Sequence, residues 1–89
     1  MFYTIVVLPR ARKQLRKFDP TVRAPIEAAI DALAHEPRPH GVTKLVGEQH
    51  TYRIKAGKNY RVVYDIFDDR LVIDVVRVAH RREVYQDRA

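Results

Sequence analysis

The 89-residue chain has no cysteine. That one absence removes disulfides, zinc-thiolate centres and thiol nucleophiles, and it leaves no sign of an oxidising compartment. Glycine is scarce as well, and the three present form no phosphate-cradling loop. No apolar run approaches the ~20 residues of a membrane helix, since the N-terminal stretch from Phe2 to Leu8 is short and ends at Pro9. A cytoplasmic protein without membrane contact is therefore expected. The four histidines, at 35, 40, 50 and 80, lack ligand spacing on any one helix face, so neither a metal nor a cofactor is expected.

What is present describes one soluble domain. Hydrophobic residues make up 46% and charged residues 31%, ordinary for a globular fold. Seventeen Lys and Arg against eleven Asp and Glu leave a net charge of +6. That excess suits a polyanionic partner and equally suits a basic, solvated surface.

Phe2 to Leu8 carries apolar residues on both faces of an extended strand, which predicts a strand covered on two sides or paired with a partner. After Pro9, the spacing of Ala11, Leu15 and Phe18 predicts a helix with a basic outer face. Asp19-Pro20 predicts a second helix start, with the Asp19 carboxylate accepting first-turn amides. Val22, Ile26, Ala29, Ile30 and Leu33 form its stripe to about His35, with a kink or late start expected from Pro25. Glu36 to Gly41, holding two prolines, reads as a loop.

From Thr51 to Tyr85 the pattern alternates. Tyr52, Ile54, Tyr60, Val62, Tyr64 and Ile66 fall on one face of a meander, and Arg53, Lys55 and Arg61 on the other. Turns are expected at Gly57-Lys58-Asn59 and Asp68-Asp69, the two aspartates bonding the local backbone. A two-residue turn there sets Arg61 opposite Val76 and Val63 opposite Asp74. The same count sends Arg77 toward the helix-covered side, and it reads Tyr60 and Tyr64 as core. The resulting order is β-α-α-β-β-β, an α+β fold with a helix pair on one face of a mainly antiparallel sheet. The first strand is expected as an antiparallel mate of the last or as an edge neighbour of the meander. Arg53, Lys55 and Arg61 are either the wet face of that sheet, partly neutralised by Asp65 and Asp74, or a binding surface for an anion.

Tyr52-Arg53-Ile54-Lys55, Tyr60-Arg61-Val62-Val63-Tyr64, and Val75 to Val78 followed by Ala79-His80-Arg81 and Val84-Tyr85 resemble the RelE branch of the RelE/ParE toxins of type II toxin-antitoxin modules. The resemblance spans nearly the whole chain and implies a single toxin domain over residues 1–89. It implies a ribosome-dependent mRNA endoribonuclease, neutralised by a cognate antitoxin in a hetero-oligomer, with operator DNA bound only through that antitoxin. By that resemblance Arg53, Lys55 and Arg61 bind the phosphate. Lys55 acts as general base, Arg61 stabilises the transition state, Arg81 offsets the charge of the leaving oxygen and Tyr85 stacks on a base. His80, beside Arg81, is either a proton donor or a cap on the chain. Two departures stand out: Arg53 where the family commonly has lysine, and Val46 where its best-known pattern has arginine. A ParE-like gyrase inhibitor without nuclease activity, or a degenerate binding protein, would share the fold.

Overall fold

The computed structural model describes residues 2–86, apart from the side chains of 84–86. Strand β1 (Thr4–Val7) leads through Leu8 into helix α1 (Pro9–Arg16), and α2 (Pro20–Ala32) follows after a short turn. A loop then gives the two-residue strand β2 (Thr43–Lys44), the meander β3 (Thr51–Ala56), β4 (Tyr60–Phe67) and β5 (Val72–His80), and the short helix α3 (Arg81–Gln86). The helix pair and the meander match the expected α+β order; β2 and α3 are additions to it.

Both long helices begin on a proline at the first helical position, where the missing N–H costs no bond. The Asp19 carboxylate makes no cap bond. Its backbone carbonyl instead accepts the N–H groups of Val22 and Arg23. Pro25 neither delays nor ends α2, which runs continuously from Pro20 and stops at Ala32, short of His35. The core lies between the helices and the sheet, where Ala11, Leu15, Ile26, Ile30 and Leu33 bury against Ile54, Val62, Tyr64, Ile66, Ile73, Val75 and Val78.

The five strands lie in the order β1-β5-β4-β3-β2. β1 is an edge strand, as one expectation had it, but it pairs with β5 in parallel rather than antiparallel register, Thr4 to Val72 through Val7 to Val75. The reason lies in the path between them. α2 returns the chain to the start of β1, where the Tyr3 N–H donates to the Ala34 carbonyl at 2.9 Å, and β2 adds a reversal before the meander. β1 is also not covered on both sides: Ile5 and Val7 face the helices, whereas Val6 is 39% and Phe2 65% exposed.

The β4–β5 connection departs from expectation twice. The turn spans four residues, 68–71, with Leu71 at φ 54°, so Phe67 pairs with Val72. A register shift at Val63/Tyr64 then makes Val76 an extra residue on β5. Beyond that bulge Val63 pairs with Arg77 and Arg61 with Ala79, not with Asp74 and Val76. A single inserted residue exchanges the two faces for everything that follows it. Arg77 is thereby moved off the helix-covered side and onto the face that carries Arg53 and Arg61.

Candidate functional site

The face turned away from the helices is built in rungs. Lys55 pairs directly with Arg61, and Arg61 with Ala79, so a lysine and an arginine stand side by side across β3 and β4. Directly paired side chains in a sheet have Cβ atoms about 5 Å apart, close enough for both to reach one phosphate. One rung behind, Arg53 pairs with Val63 and Val63 with Arg77. Between these cations lies a small apolar floor of Val63 and Ala79, packed by Leu45 and Val76. It orders the strands under the charges, and of these cations Lys55 is the one fully exposed.

The arginines differ in exposure. Lys55 is exposed, while Arg53 and Arg61 are half-buried, and Arg61 Nη1 donates to the Tyr60 carbonyl at 3.0 Å. Arg77 is buried, with 7% of its surface exposed, and its Nη2 lies 3.5 Å from the Glu83 carbonyl of α3. Arg77 is therefore a fourth cation of this face that alternation counting missed. No sequence signal marked the bulge that puts it there.

Arg81 begins α3 two residues after Ala79, and its backbone N–H is held by the Asn59 carbonyl at 2.7 Å. This bond ties the start of α3 to the β3–β4 turn, at the end of the sheet where Lys55 and Arg61 stand. The backbone of Tyr85 belongs to α3, but its side chain lies outside the described residues. His80 is placed differently. It pairs with Tyr60 on the helix-covered side, its ring set edge-on to the Tyr60 ring at 5.5 Å, and its Nδ1 accepts the Arg82 N–H at 3.2 Å. The structure thus brings Arg53, Lys55 and Arg61 onto one face, sets the backbone of Arg81 at its end, and engages His80 as a cap on α3. Val46 is fully exposed in the β2–β3 loop.

A second polar cluster lies at the opposite end of the strands and holds the loop after α2. Arg38 grips Asp68 with two nitrogens, at 2.8 and 3.3 Å, donates to the Tyr52 hydroxyl at 3.3 Å and lies over the Tyr52 ring. Tyr3 donates to the same carboxylate at 2.6 Å. These bonds, that of Arg38 foremost, hold the Asp68 carboxyl down at about 2. The Tyr3 phenol is raised, chiefly by its bond to Asp68, and the Tyr64 phenol is raised by burial while donating to the Pro37 carbonyl at 2.7 Å. The Asp68 carboxylate is thus engaged by Arg38 and Tyr3 across the fold.

Comparison with known proteins gives a consistent result. Residues 5–85 match the model of the family described as ParE toxin of type II toxin-antitoxin system, parDE. The mRNA interferase toxin RelE of Escherichia coli strain K12 is 33% identical over 90 residues, covering 98% of this chain and 94% of the relative. The crystal structure of the isolated E. coli RelE toxin superposes with a TM-score of 0.77 at 33% identity, covering 94% of this chain and 92% of that one. The toxin-antitoxin complex RelBE2 of Mycobacterium tuberculosis gives 0.76 at 30% identity, over 91% of this chain and all of that one. With a family match over nearly its full length, and relatives of the same size and fold, the chain belongs to the RelE/ParE superfamily of type II toxin-antitoxin toxins.

Proposed function

We propose that this toxin is an mRNA interferase that cuts messenger RNA on the ribosome, and that a cognate antitoxin silences it by binding the same chain. The observation that carries this reading is the Lys55–Arg61 pair, directly opposed on neighbouring strands with Arg53 one rung behind on the same face. Such an arrangement is electrostatically unfavourable in an empty sheet and becomes favourable when a phosphate lies across it. The relatives named mRNA interferase support the activity, and the neighbours solved as toxin-antitoxin complexes support the partner. Ribosomes and mRNA place the work in the cytoplasm; among the described residues no helix is long and apolar enough to cross a membrane.

The chemistry follows from the groups present. The Lys55 amine takes the proton of the ribose 2′-hydroxyl, and the 2′-oxygen attacks the adjacent phosphorus. The P–O5′ bond breaks, giving a 2′,3′-cyclic phosphate and a 5′-hydroxyl. Arg53 and Arg61 hold the phosphoryl oxygens with planar, charge-assisted bonds that strengthen as negative charge builds in the transition state. Arg81, at the start of α3, offsets charge on the departing 5′-oxygen while a solvent proton reaches it. Tyr85 stacks on a base and keeps the nucleotide in line, an interaction worth roughly 1–3 kcal/mol. Neither a metal nor a cofactor has a part in this scheme. One acid or base contributes about 10² to 10⁴ in rate, so positioning by the ribosome supplies much of the rest.

The test is induction in bacterial cells with mapping of RNA 5′ ends on translated messages, for wild type, Arg61→Ala and Tyr85→Ala. Cleavage inside codons that is lost in both variants is the expected result. Arrested growth with no such ends, together with inhibited DNA supercoiling, would instead identify a gyrase inhibitor of the ParE kind, the reading favoured by the family model's name.

A further inference from the structure

The nuclease scheme leaves two carboxylates of the site face unused. Asp65 on β4 and Asp74 on β5 are direct cross-strand partners, both half-buried. Thr51 completes the rung on β3 and donates its hydroxyl to Asp65 Oδ1 at 2.5 Å; Val6 completes it on β1. Like charges directly opposed on neighbouring strands repel, so contact between the two aspartates does not account for them. Their position supplies one. Two residues along β3 and β4, about 7 Å away, stands the rung of Arg53, Val63 and Arg77, and one rung beyond it that of Lys55, Arg61 and Ala79. The bulge at Val76 completes this order by bringing Arg77 onto the face. The face therefore runs from two cationic rungs directly into an anionic one.

We propose that Asp65 and Asp74 form an electrostatic stop that confines RNA to the two cationic rungs and so fixes which phosphate lies between Lys55 and Arg61. The proposal rests on the nuclease reading above. An RNA backbone lying on the Lys55–Arg61 rung gains again at the half-buried Arg53, then meets two carboxylates. That spacing is within the screening length of about 8 Å at physiological salt, so the repulsion is felt there. The strand leaves the sheet at that rung instead of sliding along it, and the register of the scissile phosphate is set by repulsion at one end and attraction at the other.

The experiment is a binding titration with a fluorescent, single-stranded oligoribonucleotide carrying 2′-O-methyl groups, which blocks cleavage. Asp65→Asn and Asp74→Asn are compared with wild type, with Arg61→Ala, and with Asp69→Asn in the β4–β5 turn. Each Asp→Asn change raises the formal net charge of +6 by one, so Asp69→Asn controls for overall charge. Asparagine at 65 keeps an acceptor for Thr51. The expected result is about threefold to tenfold tighter binding for Asp65→Asn and for Asp74→Asn near 50 mM salt, shrinking at higher salt, with Asp69→Asn close to wild type. On translated messages the two site variants are expected to spread cleavage over neighbouring phosphates, whereas wild type cuts at one. Binding indistinguishable from Asp69→Asn, or weaker than wild type, overturns the stop. If Arg61→Ala binds as wild type does, the cationic face itself is not the RNA surface and the underlying reading fails. If Arg61→Ala binds weakly while the aspartate variants are neutral, only the stop is lost.

Discussion

At the scale of single residues, His80 separates two roles that adjacency in sequence had merged. Beside Arg81, it suited a proton donor; in the fold its Nδ1 is occupied by the Arg82 N–H and its ring meets Tyr60 on the helix-covered side. A cap tolerates replacement by another short acceptor, whereas a proton donor does not. His80→Asn is therefore expected to keep cleavage within a fewfold of wild type, and His80→Ala to lose stability of about 0.5–2 kcal/mol, as cap removals do. Cleavage of ribosome-bound message and urea unfolding measure the two. A loss in His80→Asn as deep as in Arg61→Ala would return the imidazole to the chemistry.

At the scale of elements, the edge of β5 shows how a strand is ended without being left open. β1 accompanies β5 only through Val75, where the Leu8 N–H still reaches the Val75 carbonyl at 3.0 Å. Beyond that point α1 lies over the edge, and Gln14 Oε1 takes the Val78 N–H at 2.7 Å. A side chain thus substitutes for a missing strand, which shields an edge otherwise open to pairing with another chain. Gln14→Ala leaves that partly buried donor without its partner, and a loss of about 1–3 kcal/mol is expected in chemical denaturation. Gln14→Glu keeps the acceptor and is expected to lose less. The spacing of Ala11, Leu15 and Phe18 carried the helix pattern of α1, but nothing in it singled out Gln14, because its partner is 64 residues away.

At the scale of the whole molecule, the Arg38–Asp68–Tyr3 cluster joins three distant segments: the loop after α2, the β4–β5 turn and the start of β1. Asp68 is held at about 2 in the folded chain, below its ordinary 3.8. A depressed carboxyl adds stability above the unfolded value and loses it as pH falls through the folded one, so this contribution fades between about pH 4 and pH 2. Arg38 and Asp68 keep 42% and 55% of their side-chain surface exposed, so screening limits the gain to less than about 1 kcal/mol. Asp68→Asn is expected to flatten the acid limb of the stability curve by that amount. Urea midpoints measured near pH 5 and pH 2.5 check it, and an unchanged slope would mean that the cluster is held by packing alone.

The sequence by itself determined the helix pair, the meander and the segregation of Tyr52, Ile54, Val62, Tyr64 and Ile66 from Arg53, Lys55 and Arg61. Each of these follows from local periodicity, which a strand or helix expresses wherever it is placed. The direction of β1, the rung that joins Arg61 to Ala79, and the side on which Arg77 lies came only from the tertiary structure. The first depends on the path of the chain through α2 and β2, the other two on how many residues occupy one turn and on one extra residue at Val76. A count of two states per residue carries no memory of such an insertion, yet every later side chain changes face because of it.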